Sequence, residues 1–402
     1  MRRRRVKITG IGPVTPAGIG REEFWGQIVE SVSRIRKFND LGEEFGPFVA
    51  GYIDDFAVRR YIQNSFLPKG AARHTQFAVA AARLAVADAG IQYSEFCETS
   101  VAVVAGSSLM DFEGIGRTIE GVLLKGIKGA SARTVFTTNA AVIPSAIVEN
   151  LEINARSLAV QTSCCAGIDA IGHAMRMVSS GEVDIAICGG TEAPLFKCPL
   201  VELRATGLTP ATADAPHRIN RPFDLWRSTG VVSEGACMLI LEPESSPRPG
   251  YAFISGYAFA SDQKDKLCSG LTSAIGHSLA EASINSNKVD VINAWGPGHC
   301  RIDSAEAAAL REIFGENLKE IPAFSIKGAI GNPLGAAGAI QVATSSLSFR
   351  HDILPPTVNW QFPDPACPLN LSKEPRHVRC DTGIVNAHGL SGVNSSIVMK
   401  RC

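Results

Sequence analysis

The stretch Ser157-Leu-Ala-Val-Gln-Thr-Ser-Cys-Cys-Ala-Gly-Ile-Asp-Ala-Ile-Gly172 decides how this 402-residue chain folds. Leu158 and Val160 alternate with Ala159 and Gln161, the period of a strand. From Ile168 the apolar residues Ile168, Ile171, Met175 and Val178 recur three and four apart, one face of a helix. Cys164 and Cys165 therefore sit where a strand turns into a helix, with small residues that let the backbone turn tightly. The first N–H groups of a helix lack intrahelical partners and carry partial positive charge, so the pattern predicts a thiol whose thiolate is favoured. The same turn can offer an N–H to an oxyanion. The alternative is that both thiols are small buried hydrophobes, and Cys165 is read as packing.

Outward from this turn, short apolar runs alternate with helical patterns, which predicts α/β layers. Val101 to Ala105 reads as a buried strand, Val183 to Cys188 as a strand stopped by Gly189-Gly190, and Met238 to Leu241 as another. Gln76 to Ala89 is Ala-rich and helical. Glu242 to Gly250, with three Pro and a Gly, is the linker candidate. It divides the chain into residues 1–245, which carry the cysteine turn, and residues 246–402. Each part opens on a similar phrase, Val6-Lys-Ile-Thr-Gly-Ile-Gly12 and Phe253-Ile-Ser-Gly-Tyr-Ala258, a hint of internal duplication.

Composition narrows the function. Lys plus Arg and Asp plus Glu both total 39, so the net charge is zero and there is no surplus to bind nucleic acid. A hydrophobic share of 45% and a charged share of 19% exclude a disordered chain. No apolar run reaches about 18 residues, so no membrane helix is expected. The basic Met1 to Arg5 is followed by Gly, Pro and Thr rather than an apolar segment, and reads as a charged tail. The eleven Cys are scattered without a Cys-x-x-Cys pair, which speaks against zinc and for a reducing cytoplasm.

The cysteine turn resembles the nucleophile turn of the β-ketoacyl synthases, the condensing enzymes of fatty acid and polyketide synthesis. Further stretches match in order: Val6 to Gly18, Lys327-Gly-Ala-Ile-Gly-Asn-Pro-Leu-Gly-Ala-Ala-Gly338, Pro355-Pro-Thr-Val-Asn359 and Asn386-Ala-His-Gly-Leu-Ser-Gly-Val-Asn394. The resemblance implies a thiolase-like fold of two pseudo-symmetric halves in five α/β/α/β/α layers, and an obligate dimer, with itself or with a ketosynthase. It implies no cofactor of the chain's own, because substrates arrive on the phosphopantetheine of acyl carrier protein.

The chain also departs from that family. Decarboxylative condensation needs an acyl-accepting thiolate and two imidazoles that stabilise the developing enolate. In Asn293-Ala-Trp-Gly-Pro-Gly-His299, Trp295 stands at the first His position, and Asn332, five residues after Lys327, stands at the second. The two family Thr that hold the pantetheine arm are Pro297 and His299, and the gating Phe pair of the C-terminal turn is His388 and Leu390. The family's Arg-Asp-Gly-Phe stretch is Arg227-Ser-Thr-Gly230, and Gln341 stands where a Glu is often found. Cys164, Lys327, Asp303 and Glu306 remain, the last two as structural support.

Losing both imidazoles removes at least ~10⁴ in rate, since each positioned acid or base contributes about 10² to 10⁴. The first expectation is therefore a chain-length-factor-like subunit paired with an active ketosynthase. Asp303-Ser-Ala-Glu-Ala-Ala-Ala-Leu310 and the His-Gly of the C-terminal turn resemble that class, although it usually lacks the Cys. The alternatives are a Cys164-dependent acyltransferase with His388 as substitute base, or an atypical elongating ketosynthase.

Overall fold

The computed structural model describes residues 3–39, 41–42, 45–62, 67, 70–210 and 215–402, so the first two residues of the basic tail lie outside the described residues. Ten strands form two sets of five. The first set is β1 (Val6–Thr15), β2 (Val101–Gly106), β3 (Arg156–Val160), β4 (Ile185–Glu192) and β5 (Gly235–Pro243). The second is β6 (Ala252–Ser261), β7 (Val291–Asn293), β8 (Ala323–Phe324), β9 (Thr382–His388) and β10 (Val393–Arg401).

The two sets have one topology. The spatial orders are β3-β2-β4-β5-β1 and β8-β7-β9-β10-β6. β2 runs parallel to β3 and β4, while β5 is antiparallel to β4 and β1. In the second set β7 runs parallel to β8 and β9, while β10 is antiparallel to β9 and β6. The phrases that open the two halves are equivalent strands, and Val6–Ile8 of β1 pairs with Ala252–Ile254 of β6 to join the ladders.

Eight helices matter for the argument: α1 (Arg73–Ala89), α2 (Phe112–Lys125), α3 (Val142–Leu151), α4 (Ala166–Ser180), α5 (Lys197–Ala205), α6 (Ser269–Ala282), α7 (Cys300–Phe314) and α8 (Ala337–His351). α1 and α3 cover the outer face of the first sheet, and α6 and α7 that of the second. α4 and α8 pack together between the sheets, giving five layers. Ala337 to Phe349 of α8 are all buried, which is why this helix has no amphipathic face to read.

Close packing explains many of the glycines. A Cβ at Gly12 would stand 2.0 Å from the carbonyl oxygen of Ala81 in α1. The strand expected to stop at Gly189-Gly190 instead runs on to Glu192, with both glycines inside the ladder. A Cβ at Gly190 or Gly167 would stand 2.4 or 2.5 Å from the Gly335 carbonyl oxygen. Three bare backbones thus bring the second half against the cysteine turn. The expected linker is pinned down: Lys7 Nζ donates to the carbonyls of Ser246 and Arg248, and Arg248 pairs with Glu242 at 2.7 Å.

Candidate functional site

Ser163–Cys165 form a single 3₁₀ turn between β3 and α4. Ser163 holds φ 53°, a left-handed conformation uncommon for a residue with a Cβ. Behind the turn, the buried Asp169 carboxylate accepts from the hydroxyls of Thr162, Ser395 (2.5 Å) and Tyr257 (2.9 Å), tying α4 to β10 and β6. The second half builds the same device: Leu334–Ala336 form a 3₁₀ turn before α8, and Leu334 holds φ 41°. Gly335 occupies the place that Cys164 has in the first half.

The thiol does not behave as the helix N-terminus alone predicts. Cys164 is 5% exposed, and burial pushes its thiol up to about 11. The Glu192 carboxylate adds to that rise, while hydrogen bonds from Ser163 and the Leu390 backbone and the charge of Lys327 oppose it more weakly. Desolvation of the thiolate outweighs the partial charge of the turn. Glu192, the last residue of β4, accepts from the Ser108 and Gly335 amides (2.8 and 3.2 Å), from the Ser107 hydroxyl (3.2 Å) and from the Ser108 hydroxyl. Burial pushes its carboxyl up to about 7. Sequence reasoning missed Glu192, because the apparent strand stop at the two glycines hid it.

Trp295, Lys327, Glu306 and Gln341 form one buried cluster. Glu306 accepts from the Trp295 and Gly296 amides at 2.7 and 2.8 Å. Lys327 Nζ donates to the Trp295 carbonyl (2.7 Å) and Gln341 Oε1 (3.0 Å) and stands 4.1 Å from the Trp295 ring centroid. Burial lowers the Lys327 ammonium to about 7 and raises the Glu306 carboxyl, each held back by the other's charge. Gln341 Nε2 reaches the carbonyls of Ala294 and Asn386 (3.0 and 3.2 Å), so it ties β7 and β9 to α8. Asp303 accepts from the Phe223 and Gly298 amides (2.7 and 3.1 Å), with Arg227 at 3.7 Å, and burial pushes its carboxyl up to about 7.

The remaining expected residues converge on Cys164. Trp295, Pro297, His299, Asn332, His388 and Leu390 all line one cavity with it. Its volume is only about 30 Å³, room for one or two waters. His299 Nδ1 accepts from the Arg301 amide (3.2 Å) and caps α7. Asn332 is held by its backbone to Val231 and Ser233 (2.7 and 3.0 Å), and its Oδ1 has no protein partner among the described residues. His388 is buried, with Nδ1 2.8 Å from Asn394 Oδ1. Leu390 and Cys164 also line a second, largely apolar cavity of about 210 Å³, walled by Leu109, Phe112, Leu203 and Leu334. Arg227 is committed to Asp364 (2.5 Å) and the Ser304 hydroxyl (2.6 Å). Among the described residues no cluster of His, Cys, Asp or Glu could hold a metal ion, and no helix is long and apolar enough to cross a membrane.

The chain that carries this turn is matched in known proteins over nearly its whole length. Residues 3–246 match the sequence profile described as Beta-ketoacyl synthase, N-terminal domain, and residues 251–361 the one described as Beta-ketoacyl synthase, C-terminal domain. The chain belongs to the β-ketoacyl synthase family. It is 34% identical to a putative polyketide beta-ketoacyl synthase 1 of Streptomyces virginiae, over 99% of this chain and 98% of that protein. It is 32% identical to the tetracenomycin polyketide synthase ketoacyl synthase beta subunit of Streptomyces glaucescens, over 98% of both. The ishigamide ketosynthase/chain length factor structure superposes with a TM-score of 0.92 at 27% identity, over 100% of both chains. This family member therefore has the thiolase-like fold of its relatives and belongs to the family of type II polyketide and fatty acid biosynthesis.

Proposed function

We propose that this chain is a chain-length-factor-like subunit that pairs with an active ketosynthase and does not decarboxylate malonyl carrier protein by itself. The observation that carries the reading is Trp295. Its backbone is clamped by Glu306 and Lys327, and its ring lies over the Lys327 ammonium, in front of a cavity of about 30 Å³. Indole offers one N–H and no base, and the Asn332 amide does not titrate. Neither can take the place of an imidazole at a developing enolate. Likeness to both a synthase and a beta subunit supports this family-level placement.

The surface supports a partner. β3 is the open edge of the first sheet, and its Arg156, Ser157 and Leu158 face outward. α2 buries none of its residues, and Leu123, Ile127 and Phe136 in and after it are 81, 90 and 75% exposed. An open edge and large apolar residues in water are costly to a monomer and are what a permanent partner covers. The partner of this reading is a ketosynthase of the same fold, with acyl carrier protein delivering the substrates.

The test is co-expression with an intact ketosynthase of the same biosynthetic locus. The expected result is a heterodimer in sedimentation, condensation by the pair, and a product length that changes when residues of this chain's apolar cavity are changed. A stable monomer at micromolar concentration, or labelled CO₂ release by this chain alone near the rate of an intact synthase, would overturn it.

A further inference from the structure

The β9–β10 hairpin carries a chain of hydrogen bonds that ends at His388. Asp262 accepts from the amides of Cys268 (3.1 Å) and Gly270 (2.9 Å) and from Asn394 Nδ2 (2.8 Å). A carboxylate held by amide donors only accepts, so the NH₂ side of Asn394 must face it. The other side, Oδ1, then faces His388 Nδ1 at 2.8 Å. An amide oxygen cannot donate, so Nδ1 carries the proton, and in the neutral ring Nε2 keeps a free lone pair.

His388 lines the cavity that also exposes the Cys164 thiol. The residue after it touches the nucleophile turn: a Cβ at Gly389 would stand 3.0 Å from Ser163 Cβ and 3.4 Å from the Cys164 nitrogen. A thiol, an imidazole and a group that orients the imidazole thus border one cavity, the parts from which a nucleophile and its base are assembled when substrate binds.

We infer that Asp262 and Asn394 position His388 as the proton acceptor of Cys164, which lets this chain take an acyl group from a thioester without either family imidazole. The Cys164 proton passes to His388 Nε2 as the sulfur bonds to the acyl carbon. The carrier's carbon–sulfur bond then breaks, and its leaving thiolate recovers the proton from His388. A thiol that burial keeps protonated needs such a base, since the turn alone does not ionise it. The apolar cavity of about 210 Å³ beside Cys164 takes the acyl chain. The inference goes beyond the pairing proposed above and holds with or without a partner subunit. Asp262 and Asn394 act through His388 and are positioning residues.

The test uses the full chain. ¹⁵N-histidine spectra, with His388 assigned by the signal missing in His388→Phe or His388→Gln, report the tautomer. Mass spectrometry after incubation with hexanoyl-N-acetylcysteamine reports acylation of Cys164. The expected result is an Nδ1–H tautomer at His388 and a hexanoyl adduct on Cys164. His388→Phe should then slow the adduct about 10²- to 10⁴-fold, the usual worth of a positioned base. Asp262→Asn lets the Asn394 amide turn over, so it should mix the tautomers and slow acylation while the protein still melts cooperatively. An Nε2–H tautomer in the wild type, an unchanged rate in His388→Phe, or no adduct on Cys164 would overturn the inference. Sedimentation with the ketosynthase reads the pairing separately.

Discussion

The two five-strand sets share one order and one pattern of directions, and the two halves differ in what they place at the equivalent turn. The first puts Cys164 one residue after the left-handed Ser163, and the second puts Gly335 one residue after the left-handed Leu334. In the first half the connection from strand to helix is short and carries the nucleophile. In the second it is the longer segment 325–336, which carries Lys327 and Asn332. In the reading proposed above, the first half keeps a thiol able to form a covalent bond, while the second holds Trp295 and Asn332 at the positions where the family resemblance places imidazoles.

The sharpest way to break this comparison is to restore the missing imidazoles. Labelled CO₂ release from malonyl carrier protein should fall at least ~10⁴-fold below an intact synthase. Trp295→His alone should leave it there, because Asn332 remains, and only Trp295→His with Asn332→His should raise it. A rise with the single substitution would mean that the second half is less depleted than its residues suggest.

Stability probes the buried cluster of the second half. Glu306→Ala leaves two backbone N–H groups without their acceptor and the Lys327 ammonium without its neighbouring negative charge. It should cost about 3–5 kcal/mol in denaturant unfolding, the usual result of orphaning a buried charge. Removing both charges together, as Glu306→Gln with Lys327→Met, should cost less.

Access and ionisation probe the first half. Trp295→Ala should raise iodoacetamide labelling at Cys164 and leave the other ten thiols unchanged, although it also costs about 3–5 kcal/mol of packing. Labelling of wild-type Cys164 should climb about tenfold per pH unit below pH 11, because the buried thiol is pushed up to about 11. A plateau near pH 8 would show that the turn does favour the thiolate.

The smallest expected effect concerns Glu192. Its carboxyl is pushed up to about 7 in the folded chain, so the unfolded chain releases that proton first. The stability it contributes is complete below the ordinary glutamate range and lost as pH rises toward 7. Glu192→Gln should flatten that decline, by about 1.4 kcal/mol per pH unit at most. Denaturant midpoints at pH 5 and pH 8 read the difference.

Cys164, Lys327, Trp295 and Asn332 were legible because each sits in a local pattern: a period change from two to about three and a half, or a fixed offset within a motif. Glu192, Asp262 and Asn394 were not legible as site residues. Glu192 lies past two glycines that looked like a strand end but serve close backbone packing. Asp262 meets Asn394 from 132 residues away, so no spacing rule connects them.

The amino-acid sequence by itself placed the cysteine turn between a strand and a helix, since that resides in local periodicity, and its motifs in order carried the resemblance that gave the family and the duplicated fold. Only the tertiary structure decided the ionisation of Cys164, which depends on how completely water is excluded and on a carboxylate from another strand. It alone brought Asp262, Asn394 and His388 into one hydrogen-bond chain, because residues from distant parts of the sequence meet only in the folded chain.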